Sequence, residues 1–140
     1  MSFREKTAWI MMIILIGAGL WYFRMIYIAS SAMGGVAPII PAFLVAYVIL
    51  IIIASIIFMS VIAVASPDEA DAPADEREKI LQDKAGNWSG YILGFGVIAG
   101  VIHYSVNADG NLLAQLCFGS LMLSQIGEYA LQIWFYRRGG

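Results

Sequence analysis

Polar positions are so sparse in this chain that they divide it into four long apolar runs, residues 8–30, 39–66, 88–108 and 112–136. The half-buried strands of a soluble domain alternate polar and apolar residues, and its helices keep one polar face. These runs do neither. A hydrocarbon core of about 30 Å needs about 20 apolar residues, so each run is long enough to cross a bilayer. The pattern predicts an all-α fold, an integral membrane four-helix bundle forming a single domain over residues 1–140. Residues 31–38, with Gly34, Gly35 and Pro38, and residues 107–111, Asn-Ala-Asp-Gly-Asn, are short and rich in helix breakers. Short turns make successive helices antiparallel neighbours, so the bundle is built from two helical hairpins.

Residues 67–87 break the pattern. The stretch 66–75 is acidic, small and proline-containing, and reads as a flexible linker. Asp75 followed three residues later by Glu78 then fits a helix start, and Ile80, Leu81, Lys84 and Trp88 recur at helical spacing. This predicts a short cytoplasmic amphipathic helix that lies in the interface, with the stems of Lys79 and Lys84 among the headgroups, and runs into the third span. The alternative is a solvated charge run.

Composition strengthens the membrane reading. Hydrophobic residues make up 61% of the chain and charged residues 13%, and the mean hydropathy is +0.79. That is more apolar surface than a soluble core of this size uses, so the excess faces the lipid bilayer. The net charge of −2 argues against nucleic acid as a partner. Cys117, the sole cysteine, lies inside the fourth run, which excludes an intramolecular disulfide and a cysteine-based zinc cluster. Arg4 and Lys6 precede the first run as in a secretory signal, but the run exceeds the roughly 7–15 residues of a signal core and lacks a small-residue cleavage pattern, so we read it as a retained anchor.

The cations give a direction. Arg4 and Lys6 precede the first span, Arg77, Lys79 and Lys84 lie between the second and third, and Arg137 and Arg138 follow the fourth. Flanking cations stay in the cytoplasm, which places both termini and the central segment there. Trp9 and Trp88 at the starts of spans, and Trp134, Phe135 and Tyr136 at the last exit, suit the headgroup layer. Asn87-Trp-Ser89 matches a glycosylation triplet but falls on the cytoplasmic side. Superposing Trp9 on Trp88 brings Gly17 onto Gly96 and Arg24 onto His103. That alignment fits a parallel internal repeat, as transporters carry, and two unrelated hairpins account for it nearly as well.

Ionisable groups within spans are costly and therefore informative. Counted at 1.5 Å per residue from the cytoplasmic ends, Arg24 sits at roughly 24 Å, His103 at roughly 21 Å and Glu128 at roughly 10 Å. Arg24 and Glu128 are thus too far apart in depth to pair. Arg24, His103 and Gln115 are candidates for an outer polar layer, although Arg24 can also snorkel to the headgroups unaided. One histidine defines no metal or haem site, so no metal and no cofactor are expected. Ser124, Gln125, Glu128 and Gln132 share one face of the fourth span and form the candidate intramembrane polar site. Gly17 and Gly19 in the first span, and Gly94, Gly96 and Gly100 in the third, are candidates for close helix packing, with Gly90 beside them.

The run Asp75-Glu-Arg-Glu-Lys-Ile80, followed by Lys84-Ala85 and a hydrophobic span, resembles an uncharacterised family of small bacterial four-helix membrane proteins with an Asp-Glu-Arg cytoplasmic loop signature, often encoded beside helix-turn-helix regulators. The opening Phe3-Arg-Glu-Lys-Thr-Ala-Trp9 is similar to its proteobacterial branch. The resemblance implies a bacterial inner membrane setting and a regulatory or accessory role, and no activity. With no nucleophile–base pair, metal cluster or phosphate loop, no catalytic residues are assigned and no enzyme is expected. The expected function is a non-enzymatic accessory or regulatory inner-membrane protein, acting through helix packing in a homo-oligomer or as a subunit of a larger membrane complex. The alternative is a small proton-coupled transporter using Glu128. In size it resembles the small multidrug resistance transporters, but those carry their essential glutamate in the first span and have short loops.

Overall fold

The computed structural model describes residues 3–67, 73 and 75–138, and the regular structure among them is helical: α1 (Phe3–Met33), α2 (Pro41–Ala65), α3 (Glu76–Asn107) and α4 (Gly110–Arg138). The helices α1, α2 and α3 are long and apolar enough to cross a membrane. The 29-residue α4 is as long but more polar, because Gln115, Gln125, Glu128 and Gln132 interrupt it. Most of the acidic linker expected over 66–75 lies outside the described residues.

Local chemistry sets the ends. Gly34, at φ +70°, takes the left-handed conformation just beyond α1, which glycine adopts without steric cost. Pro41 opens α2, where its missing N–H would have had no partner anyway. Ala108 closes α3 in the left-handed region, its N–H donating to the Tyr104 carbonyl at 2.8 Å. Asp109 then starts α4: its carboxylate accepts from the Leu112 N–H at 3.0 Å and its carbonyl from the Leu113 N–H at 3.1 Å. The turn between α3 and α4 is therefore only Ala108 and Asp109.

The amphipathic helix expected before the third span is not a separate element. The Asp75 carbonyl accepts from the Lys79 N–H at 3.0 Å, its side chain makes no capping bond, and α3 continues unbroken for 32 residues. No proline interrupts it, so the first turns and the span share one axis. The packed face also differs from the expected stripe. Leu81, Ala85 and Ser89 are buried against α4, whereas Ile80 and Trp88 are exposed.

The helices form a row in the order α2, α1, α4, α3: α1 packs on α2 and on α4, and α4 packs on α1 and α3. Both expected hairpins are present, joined through α1 and α4. Because α1 is interior to the row and α3 is an edge, the two are not equivalent, and the internal repeat has no structural counterpart. Two cores result. Toward the turns, Ala18, Tyr22 and Ile26 of α1 meet Tyr47 of α2, Met122 of α4 and Ala37 of the connecting loop. At the other end, Leu81 and Ala85 of α3 enclose Phe135 of α4. That end also holds the ion pairs Arg4–Glu78 at 2.9 Å and Arg137–Glu5 at 3.2 Å, so the beginnings of α1 and α3 and the end of α4 lie together.

Candidate functional site

The helix α4 carries most of the buried polarity, and its contacts fall into three levels. At the turn end, the fully buried Tyr22 hydroxyl donates to Gln115 Oε1 at 3.2 Å, and Gln115 Nε2 donates to the Ala37 carbonyl at 3.1 Å. The Ala37 N–H in turn donates to Ser30 Oγ at 2.9 Å, and Asn111 Nδ2 donates to the Val36 carbonyl at 3.1 Å. This network ties the first hairpin and its loop to α4 while satisfying polar atoms that lipid could not. Around it, the Tyr22 and Phe118 ring centroids lie 4.8 Å apart and those of Tyr47 and Phe118 5.5 Å, in edge-to-face contacts joining α1, α2 and α4.

The expected outer layer is thus not a layer of three. Gln115 is buried in the network just described, Arg24 is exposed, and His103 is exposed with Asn107, one turn on, as its 3.1 Å partner. Tyr22, Ala37 and Ser30, which supply the actual partners, have no charge to mark them in sequence. Only the packed loop brings a backbone carbonyl to Gln115.

At mid-level α3 and α4 touch almost backbone to backbone. A methyl group at Gly96 would overlap the Ser120 side chain and reach the Ser120 Cα at 3.5 Å. Gly100 faces Leu113 and Leu116, and Gly19 of α1 faces Met122, so these three expected packing glycines do pack. Gly17 and Gly94 do not: each faces open space. One level down, Ser124 Oγ donates to the Ser89 carbonyl at 2.8 Å.

Toward the terminal end the α3–α4 seam opens into a polar cleft of about 600 Å³ lined by Gln82, Asp83, Gly86, Asn87, Glu128 and Gln132. Gln132 Nε2 donates to Glu128 Oε1 at 3.4 Å, and Gln82 Nε2 to the Tyr136 hydroxyl at 3.2 Å. The four expected site residues are consequently divided. Glu128 and Gln132 share the cleft, Ser124 is spent on α3, and Gln125 is exposed. Lys84 lies over the Phe135 ring at 4.7 Å, closing the base of the seam. On the turn-end half, an apolar groove of about 840 Å³ runs between α1 and α3 over α4, bounded by Phe23, Tyr27, Phe95, Leu116 and Leu123.

Among the described residues no group of three or more His, Cys, Asp or Glu side chains is placed to hold a metal ion. Comparison with protein-family models, with curated proteins and with solved structures returns no match.

Proposed function

We propose that this chain is a non-enzymatic accessory or regulatory protein of a bacterial inner membrane, crossing it four times with both termini cytoplasmic and acting through helix packing in an oligomer or larger membrane complex. The observation that carries the reading is the open row. Its two edge helices leave long faces unpartnered, and the polar cleft beside Glu128 opens at the α3 edge instead of closing inside a bundle. In the fourth crossing, α4 brings its carboxamides and Glu128 into the bilayer flanked by α1 and α3. The sidedness rests on the cations at the helix ends, and the family setting on the Asp-Glu-Arg signature at Asp75–Arg77. Native mass spectrometry from a gentle detergent tests the proposal: an assembly of two or more chains, or a complex with another membrane protein, is expected, and a partner-free monomer would sink it.

The cleft also favours a second reading, a small proton-coupled transporter, since it holds the half-buried Glu128 carboxylate beside Gln132, and ionisable groups within spans are kept for function. Glu128→Gln then abolishes proton-coupled uptake in vesicles, and unchanged uptake removes this reading.

A further inference from the structure

Lys79, Asp83, Gly86, Gly90, Gly94, Val97 and Val101 fall on one stripe of α3, spaced four or three residues apart. This stripe is separate from the Leu81–Ala85–Ser89–Gly96–Gly100 stripe that packs on α4. A Cβ built at Gly86, Gly90 or Gly94 meets nothing within 4 Å, so none of the described residues uses their close-approach surface. Two independent features point to what covers it. Lys79 and Asp83 are exposed, opposite in charge and one turn apart, and their side chains make no hydrogen bond or ion pair with the described residues. The polar cleft opens beside the same stripe: Gly86 and Asp83 line it together with Glu128 and with Gln132, which is only 8% exposed. Polar groups at a span's edge need a cover other than hydrocarbon.

We infer that this stripe is a self-complementary docking face and that its occupant is a second copy of the chain, α3 against α3 about a two-fold axis. The inference rests on the helix-packing reading above and names the partner. Two-fold pairing sets the Lys79 of each copy beside the Asp83 of the other, so one surface supplies both halves of two ion pairs, as an isologous contact requires. Crossing at Gly90 lets the backbones approach closely, as glycines four residues apart permit in membranes. It also turns the two polar clefts away from lipid.

Proximity is tested in liposomes with full-length protein. In a Cys117→Ser background, Gly90→Cys is expected to form an oxidised dimer, because a close crossing meets the about 4.4–6.8 Å Cα separation that a disulfide spans. Leu20→Cys, on an exposed face of α1, is not. Energy transfer between labelled copies gives the second readout. Gly90→Leu, whose added Cβ meets nothing within 4 Å in the single chain, lowers the dimer fraction by about tenfold or more, roughly the loss of one close helix contact. Lys79→Asp and Asp83→Lys each weaken pairing, and the double exchange restores it. Failure of the double exchange to restore pairing, or equal cross-linking at Gly90→Cys and Leu20→Cys, overturns the inference. A chain that runs inside a larger complex but never pairs with itself overturns it while leaving the helix-packing reading intact. A chain that runs only as a free monomer removes both.

Discussion

The helices α2 and α4 are of similar length, 25 and 29 residues, yet one is the most apolar element of the molecule and the other is not among the three helices apolar enough to cross a membrane. Their burial runs the opposite way. In α2 only Tyr47 and Ile62 are buried. In α4 the buried residues are Gln115, Ser120, Met122, Ser124, Gln132, Ile133 and Phe135, and most of them are polar or small. In water the more apolar helix would lie inside. In lipid the solvent is itself apolar, so hydrophobicity marks the surface, and polarity marks the helix enclosed by others. The mean hydropathy of 3.1 over an 18-residue window of α2 therefore goes with an exposed surface, and the polar residues of α4 with its packed neighbours.

Four substitutions break or sharpen this contrast. The largest effect is expected for Ile53→Lys at the centre of α2, 52% exposed, where a lysine in hydrocarbon costs about 2.5–3.5 kcal/mol on insertion scales. The fraction of chain resisting carbonate extraction measures it, and parental insertion would mean that α2 does not face lipid. Gly96→Val forces α3 from Ser120 and is expected to lose about 2–3 kcal/mol by overpacking, read as an earlier midpoint in SDS unfolding. Gln115→Leu inverts the hydropathy argument. It makes α4 a better span by composition, yet strands the Ala37 carbonyl and the Tyr22 hydroxyl, lowering stability by about 1–2 kcal/mol in the same assay. A gain in stability would show that the outer network does not hold the hairpins together. Ser124→Ala removes one bond to the Ser89 carbonyl and is expected to cost about 0.6 kcal/mol, the mean for such interhelical bonds in membranes.

The glycines of α3 repeat the lesson within one helix. Gly94 and Gly96 are two residues apart and chemically identical, but their side-chain directions differ by about 200° at 100° per residue. Gly96 meets Ser120, and Gly94 meets open space. A list of small residues names both as packing positions. Only the packing of α4 against one side of α3 divides them into a stripe that meets a neighbour and a stripe that meets none among the described residues.

Gln115 shows the same limit from the polar side. Its depth is legible by counting residues, and so is the cost of leaving it unpaired, but its partners are not. The Ala37 carbonyl belongs to a loop that looks, in sequence, like an outward turn. Tyr22 reads as one more apolar-run aromatic. Arg24 and His103, the obvious companions by depth, fall on other faces because a helix rotates its side chains by about 100° at every residue.

The four long helices, their pairing into hairpins and the clustering of cations at one end were carried by local properties: run length, turn residues and flanking charge. These depend on a few neighbouring residues and a 1.5 Å rise, so the chain alone determined them. The order α2, α1, α4, α3, the docking of Ala37 onto Gln115, the merger of the interfacial segment into α3 and the division of the glycines were decided by tertiary structure. Each depends on which face of one helix meets which face of another. In a span whose residues are nearly all apolar, no amphipathic pattern records that choice; it is fixed by the fit of small side chains and the pairing of a few polar atoms.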